Sequence, residues 1–160
     1  MKLMIFAVGR LKAGPERELV ARYHERLGGL GKGLGLSGPF VTELNESPAR
    51  SADARKAQEA DGLLEAITSD TVAIRFDERG KVITSEAFAE MIRVRRDNGV
   101  KSISFLIGGA DGLHPDIADK APEALSFGGM TIPHQLVRVL LMEQLYRTAT
   151  LLSGHPYHRV

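Results

Sequence analysis

Cysteine is absent from this 160-residue chain. Its absence excludes disulfides, thiolate zinc sites, cysteine-ligated iron–sulfur clusters and any cysteine nucleophile. Long apolar runs are missing too, and none approaches the roughly 18 residues that a membrane span needs. The opening MKLMIFAVGR has one lysine and only a short apolar run. A secretory leader needs a longer apolar core and a small-residue cleavage site, so this stretch reads as a strand. The expectation is a soluble, cytoplasmic protein with no membrane association. Charge of one sign is also lacking: 21 Lys and Arg face 20 Asp and Glu, for a formal charge of +1. Nucleic-acid binders often carry a strong positive excess, so any RNA-binding potential here has to be local. Arg93, Arg95 and Arg96 form one dense cluster, and Arg138, Arg147 and Arg159 lie in the last quarter. Solvated helix faces and ordinary ion pairs explain these as readily. Metal ligands are sparse as well. His155 and His158 are three apart, His134 is distant, and no acid stands beside them. Zinc requires three or four suitably spaced ligands, so no metal is expected.

What is present describes one globular domain over residues 1–160, with 43% hydrophobic and 26% charged residues. A chain of this length buries roughly 70% of its unfolded surface. Residues 2–9 read as a strand, and 15–29 as a helix opened by Pro15 and Glu16. The glycine-rich stretch 29–39 reads as a mobile connection. A strand at 40–45 and a helix from about Ser51 to Ala66 follow. Residues 71–77 form the next strand, closed by the turn DERGK. The helix 85–99 has Ser85 as candidate N-cap and Gly99 as stop. A strand at 102–109, a short helix near 115–121, a strand or tight loop at 125–133 and a long helix at 133–154 complete the chain. Such alternation predicts an α/β fold with a mainly parallel sheet and helices on both faces. Ligands in such sheets bind beyond the carboxyl ends of the strands.

Three features stand out. The last helix carries apolar residues around nearly its whole circumference, from Val137 to Leu152. A helix apolar all round is covered on more than one side, which in so small a domain suggests a homodimer. Second, LIGGADG at 106–112 and FGGMTIP at 127–133 end neighbouring strand-like stretches in glycines. Neither has the spacing of a P-loop or a dinucleotide fingerprint. A plain strand-to-helix turn explains the first alone; the two together suit a flat, weakly charged ligand such as a nucleoside. Third, the chain closes on SGHPYHRV. Pro156 and the Ser-Gly pair stop the helix, and the ring side chains beyond can stack and exchange protons near neutral pH. A disordered tail is the alternative.

LIGGADGL together with MTIPHQLVRVLLMEQLYRTATLLSGHPYHR resembles the ribosomal RNA large subunit methyltransferase H family, within the SPOUT class. The resemblance is most specific in the C-terminal third and extends in outline over the whole chain. It implies a C-terminal trefoil knot, a homodimer, and S-adenosylmethionine as methyl donor. It further implies methylation of N3 of a pseudouridine in a 23S rRNA stem-loop on assembled ribosomes. By position, the donor would contact Phe76, Gly108, Gly109, Phe127, Gly128, Gly129, Met130, Thr131 and Ile132. Tyr157, His158 and Arg159 would carry the catalytic role, with His155 toward the RNA; Arg138 is a further candidate for the RNA, and pairing within the dimer is its alternative. Three positions depart from the family pattern: Phe76 where leucine is frequent, Ala110 where proline is, and Gly128-Gly129 in place of a small polar pair. The chemistry would be an in-line displacement, with an imide proton to remove from the attacking nitrogen. Two rival readings are a non-catalytic ribosome-binding factor with a residual cofactor pocket and a flavodoxin-like nucleotide-binding module.

Overall fold

In a computed structural model of the chain, residues 1–65 and 67–157 are described. The elements in order are β1 Lys2–Val8, α1 Pro15–Gly31, a 3-10 turn at Lys32–Leu34, β2 Ser37–Leu44, α2 Ala52–Leu64, β3 Thr71–Val82, α3 Ser85–Asp97, β4 Ser102–Ile107, α4 Asp116–Lys120, β5 Glu123–Ser126 and α5 His134–Ser153. Five strands form one sheet in the order β2-β1-β4-β3-β5, with every pairing parallel. The α/β expectation with a parallel sheet holds.

Alternation along the strands assigns each side chain to one of two cores. Leu3, Ile5, Ile103 and Phe105 pack with Leu27 of α1, Phe88 and Ile92 of α3, and Leu141 and Leu145 of α5. Val8, Ala73 and Leu106 point the other way, onto Ala60 and Leu63 of α2 and Ile117 of α4. Every residue of β4 is buried, as expected of a central parallel strand covered on both faces.

Several local expectations are corrected. The glycine-rich stretch 29–39 is mostly ordered structure: α1 runs to Gly31, the 3-10 turn follows, and β2 starts at Ser37. Buried Leu36 and part-buried Leu34 anchor it in the core, and Leu36 N–H donates to Gly31 O at 2.9 Å. Burial of those leucines outweighs the flexibility of the glycines between them. The DERGK turn does not end its strand. β3 bulges between Phe76 and Lys81, then rejoins β5 at Lys81 and Val82. Gly80 allows this, because a Cβ there would collide with the Leu125 backbone. Thr84, not Ser85, caps α3 by accepting from Ala87 N–H at 3.1 Å; the Ser85 hydroxyl donates to Gln144 Oε1 at 2.7 Å. Ser51 caps α2 by accepting from Ala54 N–H. That helix ends at Leu64, and Ala66 lies outside the described residues.

The arginine cluster is neutralised. Arg93 binds Glu90 and Asp97, Arg95 binds Glu123, and Arg96 binds Asp97 and the Leu34 carbonyl. Each arginine of this cluster thus has a carboxylate partner. At the opposite extreme, α5 packs between α1 and α3, while Leu136 and Leu140 stay 42% and 37% exposed on its outer side.

Candidate functional site

Parallel β3, β4 and β5 bring their carboxyl ends to one edge of the sheet, where ligands of such folds bind. A cleft of about 730 Å³ opens there. One wall is the loop after β4, a second the segment from Phe127 to Pro133, and a third the β3 bulge at Asp77, Glu78 and Arg79. Phe76, Gly108, Gly109, Phe127, Gly128, Met130, Thr131 and Ile132 all line it. Gly129 belongs to the same loop but is exposed and does not line the cleft.

The glycines have distinct physical reasons. A Cβ on Gly108 would sit 2.7 Å from the Gly112 backbone carbon and oxygen, closer than atoms tolerate. Only glycine closes that turn, which Gly112 N–H completes by donating to Gly109 O at 3.1 Å. Gly128 adopts φ 141°, a conformation costly for a residue with a side chain. The Ser126 hydroxyl holds this second turn, donating to Gly128 O at 2.8 Å and accepting from Gly128 N–H. Phe76 stacks on Phe127 with ring centroids 4.9 Å apart and planes 14° from parallel. This aromatic pair ties β3 to the loop after β5. Met130, 83% exposed, stands at the mouth.

Residues not assigned to the site from the sequence also line the cleft: Lys56 from α2, the Asp77–Arg79 bulge, Asp111 within the first glycine loop, and His134 with Gln135 at the start of α5. The bulge is signalled only by DERGK, which reads as an ordinary turn. The His134 side chain is 14% exposed, with Nε2 3.8 Å from Glu46 Oε1. Burial and then the Arg138 charge pull its pKa below the ordinary value, and Glu46 partly opposes them.

Arg138 does not reach the surface as expected. It is 3% exposed; its Nη2 donates to the carbonyls of Val8 and Gly9, and its Nη1 to Glu43 Oε1 at 3.0 Å. The guanidinium is an internal strut joining α5 to the ends of β1 and β2. Burial lowers its pKa while Glu43 and Glu46 raise it, and arginine stays charged.

Within one chain the tail is not a wall of the cleft. α5 has 20 residues, so its ends are roughly 28 Å apart. The cleft takes the His134 end and the tail leaves from the other. Tyr157 folds back onto Tyr146, with centroids 4.7 Å apart. Its hydroxyl donates to Glu143 Oε1 at 3.3 Å, and the Arg147 guanidinium lies 5.2 Å from its ring centre. Burial first, then hydrogen bonding with Tyr23 and the Glu143 charge, push the phenol up to about 12. Exposed His155 accepts from Tyr157 N–H at Nδ1. His158 and Arg159 lie outside the described residues.

The family described as "Predicted SPOUT methyltransferase" matches residues 1–158. The chain belongs to the SPOUT methyltransferase family. A Rhizobium etli protein titled "Ribosomal RNA large subunit methyltransferase H" is 52% identical over 160 residues, covering all of both chains. One of the same title from Rhodopseudomonas palustris is 52% identical over 159 residues, covering 99% of each. Solved structures share the fold. A probable methyltransferase from Bordetella pertussis has a TM-score of 0.53 at 12% identity, over 92% of this chain and 95% of that one. A probable methylase family protein from Haemophilus influenzae has a TM-score of 0.52 at 12% identity, over 99% of this chain and 70% of that one. Within this SPOUT enzyme, no described helix is long and apolar enough to cross a membrane. No group of three or more potential His, Cys, Asp or Glu metal ligands occurs among the described residues.

Proposed function

We propose that this methyltransferase uses S-adenosylmethionine to methylate N3 of a pseudouridine in a 23S rRNA stem-loop, acting on assembled ribosomes in the cytoplasm as a homodimer. The trefoil knot implied by the resemblance belongs to the same reading. The observation that carries it is the cleft at the ends of β3, β4 and β5, walled by two glycine turns. Its volume lies within the range of small-molecule sites, about 300–1,000 Å³. Relatives titled as rRNA large subunit methyltransferases, half identical over the full length, support RNA as substrate.

The residues present fit such a donor. Gly108 lets the loop after β4 fold tightly along one wall of the cleft; the Phe127–Ile132 run offers peptide groups to an adenine edge, and the Phe76–Phe127 stack gives a firm apolar wall. S-adenosylmethionine, when bound, supplies an electrophilic methyl group on a sulfonium. The protein's task is alignment, exclusion of water, and care of the proton on the attacking imide nitrogen. Tyr157, with its pKa raised to about 12, is protonated at neutral pH, so it serves as a hydrogen-bond donor and not as the base. Beyond it, the imide proton would pass to His158 or to solvent, and Arg159 would balance the negative charge that its loss leaves on the pyrimidine. The absence of cysteine agrees with direct attack by nitrogen, with no covalent intermediate at carbon.

Since the tail and the cleft occupy opposite ends of α5, the tail that serves a cleft comes from a second copy. In an isologous dimer formed through the outer α5 stripe, where Leu136 and Leu140 are exposed, a two-fold axis perpendicular to α5 would set the two helices antiparallel. That arrangement brings each cleft toward the other chain's tail.

Labelled methyl transfer to ribosomes lacking the modification, followed by nucleoside mass mapping, tests the reading. Label on N3 of one 23S rRNA pseudouridine supports it. Donor binding without transfer to any ribosomal RNA would leave only a binding factor and sink the enzymatic claim.

A further inference from the structure

Within itself the loop after β4 is closed by the Gly112 N–H bond to Gly109 O at 3.1 Å, and its short side chains add little to that. Gly108, Gly109 and Gly112 surround Ala110 and Asp111, and no proline intervenes before Pro115. A glycine-rich loop left to itself samples many conformations, and a ligand that needs one of them loses affinity in selecting it. A restraint from outside the loop comes from α2, where Arg55 stands 56 residues before Asp111. Arg55 Nε donates to Asp111 Oδ2 at 2.7 Å and Nη2 to Oδ1 at 3.0 Å, a two-point fork. The third nitrogen, Nη1, donates to the carbonyls of Ala49 at 3.1 Å and Arg50 at 3.0 Å. One turn further along the same helix face, Glu59 is 8% exposed. Its Oε1 accepts from Ser47 N–H at 2.9 Å, and Oε2 would lie 3.0 Å from a Cβ on Gly109. So Gly109 packs directly under α2 while Asp111 is gripped from its side.

Most solvent-exposed ion pairs contribute little, because ordering two long side chains offsets their attraction; two-point arginine–carboxylate pairs are the exception. Here the guanidinium is fixed beforehand by two carbonyls, so gripping Asp111 costs little further freedom. Arg55 does not line the cleft, whereas Asp111 does.

We propose that the Arg55–Asp111 pair is a positioning device that fixes residues 108–112 in the shape the methyl donor binds, so that α2 sets donor affinity from outside the cleft. The inference rests on the donor reading above. It is distinct from direct donor contact by Asp111: under that alternative, removing Arg55 frees the carboxylate and leaves affinity equal or improved.

Four variants test it: Arg55→Ala, Arg55→Lys, Asp111→Asn and the Arg55→Ala/Asp111→Asn double. Amide hydrogen exchange of residues 108–112 is measured in the free protein. S-adenosylmethionine affinity is measured by calorimetry, and KM and kcat by methyl transfer. The expected result is faster loop exchange and about tenfold weaker donor binding in Arg55→Ala, with kcat within about twofold at saturating donor. Arg55→Lys gives little rescue, since an ammonium cannot make the fork. The double variant is no weaker than the worse single one, as partners in one interaction behave. Undiminished affinity in Arg55→Ala, or single effects that add in the double, overturns the proposal. If Arg55→Ala does not fold, the surface Asp111→Asn change carries the same exchange and affinity comparison. If the unaltered protein fails to bind S-adenosylmethionine, the donor reading falls. The positioning claim is then judged by loop exchange alone, and unchanged exchange ends it.

Discussion

The two ends of α5 do opposite kinds of work with the same helix. At the His134 end the helix meets polar backbone. Arg138 spends its donors on the Val8 and Gly9 carbonyls and on Glu43, and His134 lines the cleft. At the Ser153 end the helix meets rings and ion pairs: Tyr157 lies on Tyr146, beside Arg147 and Glu143. The first end holds strand termini in place so that glycine turns can wall a cleft. The second holds a tail against its own helix. Within one chain the cleft and the tail therefore lie at opposite ends of α5, and the dimer proposed above is what would bring them together.

The strongest way to break this comparison is to damage each end separately. Gly108→Val puts a branched side chain where even a Cβ falls 2.7 Å from Gly112, and donor affinity should drop at least about a hundredfold. Tyr157→Ala should abolish transfer while leaving donor affinity within about threefold, because the cleft is untouched. Each variant alone is inactive. Mixing and re-equilibrating the two should restore about a quarter of the sites, since each mixed dimer holds one sound cleft facing one sound tail. No recovery would show that cleft and tail act within one chain.

A smaller effect separates the helix ends by stability. Arg138→Met removes an interior cation from partners that stay behind, and should cost about 3 kcal/mol in urea unfolding. Were Arg138 a surface RNA contact, the change would leave the midpoint near that of the parent and weaken RNA binding instead.

The pH dependence of stability distinguishes the ends more finely. Tyr157 has a folded pKa raised from the ordinary 10.0 to about 12, so the folded state holds its proton longer. Its contribution is fully present below about pH 10 and is lost as pH rises through 12; Tyr157→Phe should flatten that alkaline slope. The smallest expected effect belongs to His134, whose folded pKa is depressed by burial and Arg138. Its contribution is present above about pH 6.5 and declines as pH falls below it. His134→Gln should remove that acidic slope and leave the alkaline one unchanged.

Much of this architecture was readable from residue pattern. Strands with apolar residues on both faces required helices on both sides, and β4 is the clearest case. The glycine-rich stretches 106–112 and 127–133 were legible as turns beyond strand ends, and the structure places both along one cleft. Pattern failed where a long-range contact overrode a local preference. Leu34 and Leu36 drew glycine-rich chain into ordered structure, and the Leu125 backbone drew DERGK into an extended strand. Arg138 read as a surface cation because nothing near it in sequence reveals the carbonyls of Val8 and Gly9 that it meets.

The order of strands and helices, the two glycine turns and the lack of thiol chemistry were determined by the sequence alone, since each depends on residue type and local spacing. The partners of the arginines, the role of α2 behind the glycine loop and the separation of tail from cleft were decided only in three dimensions. Contacts between residues far apart in the chain obey no local period; they depend on where the sheet puts the strand ends, and on a helix long enough to keep its two termini apart.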